Sequence, residues 1–116
     1  MTISMDDFER KFNRVLRQSF EDAVVYTAYN DIQNYVLKDT GALRRSLSVS
    51  VNDFNAKLDW GISYADEAYN LNTKYPFYEP TTPNTYDHWV DAWISDSGEQ
   101  RFTDYFTQEV TRRMEE

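Results

Sequence analysis

The sequence predicts a single α+β domain: a long N-terminal helix packed on a small antiparallel β-sheet, with further short helices and a C-terminal helix. Three observations carry that expectation. Apolar residues recur every three or four positions at both ends of the chain, the spacing of one helical face. Between them two short runs alternate apolar and polar residues, the period of a half-buried strand. The length of 116 residues suits one hydrophobic core rather than two, so residues 1–116 are read as one domain.

The first element runs from Asp6 to about Leu37, with Phe8, Phe12, Val15, Leu16, Phe20, Ala23, Val24, Ile32, Tyr35 and Val36 on one face. Ser4 followed by Asp7 resembles a capping box, and Asp6, Asp7 and Glu9 sit where the positive end of the helix dipole favours acids. The β-branched run Val24-Val25-Tyr26-Thr27 lowers helix propensity and marks a place for a bend. Asp39-Thr40-Gly41 stops the helix, because glycine permits backbone angles that other residues resist. A short turn then covers 42–46, with Thr40 as its cap.

The strands follow as a hairpin, 47–52 and 57–63. Leu47, Val49 and Val51 alternate with Ser48, Ser50 and Asn52; after the turn Asn52-Asp53-Phe54-Asn55, Leu58, Trp60 and Ile62 alternate with Asp59, Gly61 and Ser63. A half-buried sheet face needs a cover, so these six apolar side chains are expected to face the N-terminal helix. Tyr64 to Asn72 reads as a short helix. Residues 73–84 hold all three prolines and read as a loop bearing Tyr75, Phe77 and Tyr78. A helix restarts at 85–96 with Trp89 and Trp93 on one face, and after Gly98 a last amphipathic helix carries Phe102, Tyr105, Phe106, Val110 and Met114. Arg112 and Arg113 near its end suit the negative pole of its dipole.

Composition excludes several function classes. There is no cysteine, which removes disulfides, thiolate zinc sites and cysteine nucleophiles. No run approaches the length of a membrane span, and Met1 to Phe12 lacks the basic-then-apolar layout of a secretory leader. No membrane partner is expected. Formal charge is −8, and from Asn52 to Gln100 only Lys57 and Lys74 oppose nine acids, a poor grip for a phosphate backbone. The single histidine, His88, is flanked by Asp87 and has Asp91 three residues on, but no nucleophile elbow or second histidine accompanies it. With three glycines in the chain, no phosphate-cradling loop forms. No catalytic, metal or cofactor-binding residues are assigned, no cofactor is expected, and the chain is read as a non-enzyme. What remains are candidate contact residues: the tandem Arg44 and Arg45, which can fork carboxylates on a neighbouring subunit, and the aromatics Tyr75, Phe77, Tyr78, Trp89 and Trp93.

The joint itself carries a resemblance. Thr40-Gly41-x-Leu43-x-x-Ser46 after a long helix, then a hairpin ending in Trp60-Gly61-Ile62-Ser63-Tyr64-Ala65, then Pro83-Asn84 and the tryptophan helix, resembles the small tail-completion or neck proteins of long-tailed bacteriophages, often labelled minor capsid proteins. The match covers about Asp39 to Trp93; Asn70 to Asn84 departs from it, since the family often has a short glycine turn there. The resemblance implies a structural virion protein of the neck, a head-tail connector with no enzyme activity. It implies a homo-oligomeric ring between the portal complex and the tail tube, with other connector, portal or tail-terminator proteins as partners. It places the chain in the virion, and in the host cytoplasm during assembly. DNA would only pass through, past an acidic lumen that repels phosphate. The alternative from another class is a small acidic DNA mimic that inhibits a host nucleic-acid-binding protein. Arginines and lysines interleaved in both terminal helices work against the continuous anionic track that mimicry requires.

Overall fold

The computed structural model describes residues 5–36, 41–70 and 88–116. It has the expected architecture. Helix α1 (Met5–Asn30) leads through a 3₁₀ turn (Ile32–Tyr35) and the single-turn helix α2 (Ala42–Arg45) into the hairpin β1 (Leu47–Asn52) and β2 (Asn55–Trp60). Helices α3 (Ala65–Tyr69), α4 (Trp89–Ser95) and α5 (Gly98–Met114) follow. Ser4 and Thr40, read as caps, and the loop aromatics Tyr75, Phe77 and Tyr78 lie outside the described residues.

The first helix differs from the expectation at its end. It passes through Val24 to Thr27 as regular α-helix and stops at Asn30 instead of reaching Leu37. The side chains of Asn30 and Asn34 explain the stop: they donate to the carbonyls of Tyr26 and Asn30 at 3.2 and 2.9 Å, the local competition with backbone bonding that makes asparagine a weak helix former. The hairpin differs too. Asn52 pairs directly with Asn55, leaving a two-residue turn with Asp53 at φ 54°, the positive φ that tight hairpins require. The second strand therefore starts two residues early. It also ends early, at Trp60, which lies opposite Leu47. Ser46 already closes α2, so β1 offers nothing to pair with Ile62 or Ser63.

The core lies where the 3₁₀ turn, α2, the hairpin, α3 and α4 meet. Ile32, Val36, Leu43, Ala65, Ala68, Trp89 and Trp93 form its buried cluster, with Leu58, Trp60, Ile62, Tyr69 and Phe102 against it. All six hairpin residues expected to face inward are buried or half-buried. Trp89 is the centre: 1% exposed, with the Trp60 ring edge-on at 5.4 Å and the Tyr69 ring at 4.6 Å. Such edge-to-face pairs contribute about 0.5–1.5 kcal/mol each beyond the area they bury.

A second region is an antiparallel pair formed by α1 and α5. Phe20 meets Phe102 and Phe106 edge-on, and Tyr26 stacks on Tyr105 with centroids 4.3 Å apart. Arg113 reaches across to Asp22 and to Ser19, which is fully buried. At the far end Lys11 donates to the carbonyls of Met114 and Glu116, capping α5 with a positive charge from α1. The molecule is elongated, 69 × 25 × 18 Å. Beyond Lys11 the helix α1 has outrun its partner: of residues 5–14 only Lys11 is even half-buried, and Phe8 and Phe12 are exposed by 46% and 38%. The apolar face predicted from the sequence is real but extends past the core.

Gly98 decides how α4 turns into α5. The turn uses Ser97 at φ 66°, and Gly98 then lies flat on the Trp93 indole, so that any Cβ there would sit inside the ring's van der Waals surface. Gly98→Ala is expected to cost about 1–3 kcal/mol as an overpacked site, in spite of alanine's better helix propensity. Thermal melting followed by circular dichroism would show it as a fall of several degrees; an unchanged midpoint would mean that Trp93 moves aside freely.

Burial raises the hydroxyl pKa of Tyr35, Tyr69 and Tyr105 above 10.0, helped in turn by the carboxylates Asp96, Asp91 and Glu109. A raised acid pKa means that the fold favours the protonated form, so this stabilisation is full below pH 10.0 and is lost as pH rises through the folded-state values. Urea midpoints should therefore fall as pH rises above about 10, and in an ultraviolet titration the phenols of Tyr35, Tyr69 and Tyr105 should ionise at higher pH in the folded chain than in the unfolded one.

Candidate functional site

The joint between the 3₁₀ turn and the hairpin is built from Gly41 upward. Gly41 has φ +85°, a left-handed conformation open mainly to glycine, and it reverses the chain into α2. Leu43 drops into the core at 5% exposed. Ser46 closes the turn, its hydroxyl donating to the Leu43 carbonyl at 2.6 Å. The motif residues Gly41, Leu43 and Ser46 are thus a turn, an anchor and a stop.

The two arginines of this joint do different things. Arg44 turns back onto its own chain: Nε and Nη2 both donate to the Val36 carbonyl, at 3.2 and 3.0 Å. Its own carbonyl accepts from Gln33 Nε2 at 2.6 Å, and Gln33 Oε1 accepts from the Trp60 indole at 3.0 Å. Gln33 is 9% exposed and clasps the 3₁₀ turn, α2 and β2 with one amide. Burial also pulls the Arg44 guanidinium below its usual pKa, because the charged form loses hydration. Arg45 is exposed, with a guanidinium nitrogen close over Gly41. The pair read as one contact element is therefore split: Arg44 holds the fold, and Arg45 alone is presented outward.

Trp89 and Trp93 need the same correction. At 1% and 8% exposed they belong to the core of the chain's own fold and are not offered as a contact surface. Their indole N–H groups have no hydrogen-bond partner among the described residues, so apolar packing holds them. His88 also has a structural role. Its backbone N–H donates to Tyr69 O at 2.9 Å and its ring lies 5.0 Å from the Tyr69 ring, which ties the start of α4 to the end of α3. Among the described residues no group of three or more His, Cys, Asp or Glu side chains could hold a metal, and no helix is long and apolar enough to cross a membrane.

Sequence reasoning missed two surface features. The first is a ridge of Arg10, Arg14 and Arg17 along α1, with Asn13 and Gln18 beside it. Its signal was present as cations at i, i+4 and i+7, which share a helical face. The second is a groove of about 380 Å³ over the α1–α5 seam, lined by Tyr26, Asn30, Asp31, Asp104, Tyr105 and Gln108. At its end Arg101 forks Asp31 at 2.9 and 3.0 Å and donates to Tyr35 and to the Asp96 carbonyl. The carboxylate of Asp31 holds the Arg101 guanidinium above its usual pKa. This groove joins residues some eighty positions apart, so no local pattern announces it.

No protein-family model, no curated protein and no solved structure matches this chain. The functional reading therefore rests on the residues themselves.

The split between the arginines is testable. Arg44→Ala removes two charge-assisted hydrogen bonds to the Val36 carbonyl, an expected loss of about 1.5–3 kcal/mol. Arg45→Ala, at an exposed side chain, should cost less than that. Urea unfolding of both variants separates them; equal midpoints would show that the Arg44 clasp adds nothing to the fold.

Proposed function

We propose that this chain is a structural subunit of the neck of a long-tailed bacteriophage, one copy in a ring that joins the portal complex of the head to the tail tube. The observation that carries the reading is the joint motif, Thr40-Gly41-x-Leu43-x-x-Ser46, followed directly by the hairpin and Tyr64-Ala65. What supports it is that Gly41, Leu43, Ser46 and Ala65 have concrete structural duties in one continuous unit: a left-handed turn, two buried anchors and a helix stop. A ring subunit also needs an extended shape with lateral surfaces, which the projecting end of α1 and the long α1–α5 pair provide.

Charge fits the same role. A subunit with net charge −8 lining a channel repels passing phosphate, so DNA slides without sticking. The rival reading as a DNA mimic weakens, because mimicry needs unpaired carboxylates along one face. Here Asp22, Asp31 and Glu109 are engaged by Arg113, Arg101 and Arg112.

The test is genetic and direct. In the phage whose genome encodes this chain, deleting it should yield filled heads and free, complete tails in equal abundance by negative-stain microscopy. Mass spectrometry of intact particles should find the chain in them. Joined, infectious particles made without it would overturn the reading.

A further inference from the structure

We propose that the Arg10–Arg14–Arg17 ridge of α1 docks into the Tyr26–Asp104–Tyr105 groove of a second copy of this chain, so that copies associate head to tail. The proposal deepens the ring reading by naming the surfaces that would close it, and it concerns the isolated protein as well.

Both surfaces are exposed and chemically matched. Arg10 and Arg17 have side chains 79% and 56% exposed; each meets one carboxylate only at a distance, Asp7 at 3.7 Å and Asp53 at 3.9 Å. Arg14 has no ion pair among the described residues. In the groove, Tyr26 is 46% exposed and stacked flat on Tyr105, an aromatic face of the kind that guanidinium groups cover. Asp104 stands at its rim, engaged among the described residues by the neutral amide of Gln100 at 2.9 Å. Arginine against tyrosine and carboxylate is a complementary pairing. Ridge on ridge sets like charges together, which selects against a two-fold pairing through the ridge.

The placement also suits repetition. Arg10 and Arg14 precede Tyr26 and Asn30 by the same helical interval, which sets the two surfaces about 160° apart around α1 and about 24 Å apart along it. A subunit with complementary patches on opposite sides makes a heterologous contact, and such contacts repeat into a ring or an open filament. Burying the ridge in that contact would also remove its positive charge from any path that DNA takes. An anionic membrane or a nucleic acid fits the ridge less well, since Asp6, Asp7 and Glu9 crowd its N-terminal end.

The test uses two variants of the full chain, Arg10→Ala/Arg14→Ala and Asp104→Arg, with circular dichroism to show that each stays folded. In sedimentation up to about 1 mM, the unaltered chain should self-associate, and more weakly at 0.5 M salt than at about 0.05 M, where screening is less. Each variant alone should associate at least tenfold more weakly. Mixed, they retain one intact ridge and one intact groove, so the mixture should form pairs and stop there. Three results would overturn the proposal: an unaltered chain that is monomeric throughout, variants that associate like it, or a mixture that stays monomeric. Binding of the ridge to vesicles of anionic lipid or to duplex DNA, without self-association, would overturn it too. Head-tail joining is scored separately: normal joining by a non-associating variant removes this contact and leaves the neck reading in place, whereas absence of the chain from particles removes the neck reading alone.

Discussion

Burial of Trp89 is the constraint on which the rest of the structure depends. A two-stranded hairpin is marginal in water on its own, and α2, α3 and α4, of four to seven residues, are far too short to persist alone. Each becomes stable only by contributing to one apolar cluster. Trp60 brings β2 to Trp89, Tyr69 brings α3, and Trp93, one helical turn on, brings α4 against Gly98 and so fixes where α5 begins. The tryptophans of this chain are spent on holding its short elements together.

Polar contacts then set the angles between pieces that the core only gathers. Gln33 joins Trp60 to the backbone of Arg44, and Arg44 reaches back to Val36, so the joint is fixed by a closed set of bonds around Leu43. Arg101, Asp31, Tyr35 and Asp96 do the same where the 3₁₀ turn meets α4 and α5. Exposed ion pairs contribute little alone, about 0.2–1 kcal/mol. These pairs matter through direction: Arg101 forks Asp31 in two parallel bonds, a geometry that fixes orientation as well as energy.

The two regions of the molecule divide its labour. The core region buries Trp60, Trp89 and Trp93 in whole or in part, whereas the α1–α5 pair carries the exposed rings of Phe8, Phe12, Tyr26 and Tyr29 and most of the positive charge. Four of the twelve basic residues lie between Arg10 and Arg17, on the stretch of α1 that begins beyond the end of α5.

Much of this was legible in the sequence, for a physical reason. Periods of two and near 3.6 are written by local geometry, so the hairpin, the long helix and the C-terminal helix were readable from Leu47, Val49, Val51 and from the Phe and Val spacing. Glycine at 41 announced a left-handed turn that the structure contains. Helix and strand ends were less legible, because Asn30 and Ser46 stop their elements through particular side-chain bonds. What only tertiary structure decided is which readable face meets which. Phe8 and Val15 follow the same apolar pattern, yet one is exposed and the other buried, because α5 ends between them. Arg44 and Arg45 are adjacent and identical in type, yet the turn of α2 points one at Val36 and the other outward. The groove between Tyr26 and Tyr105 exists only once two distant helices lie side by side. Local spacing determines what an element is; its neighbours, fixed by burial of Trp89, determine which of its residues are left for function.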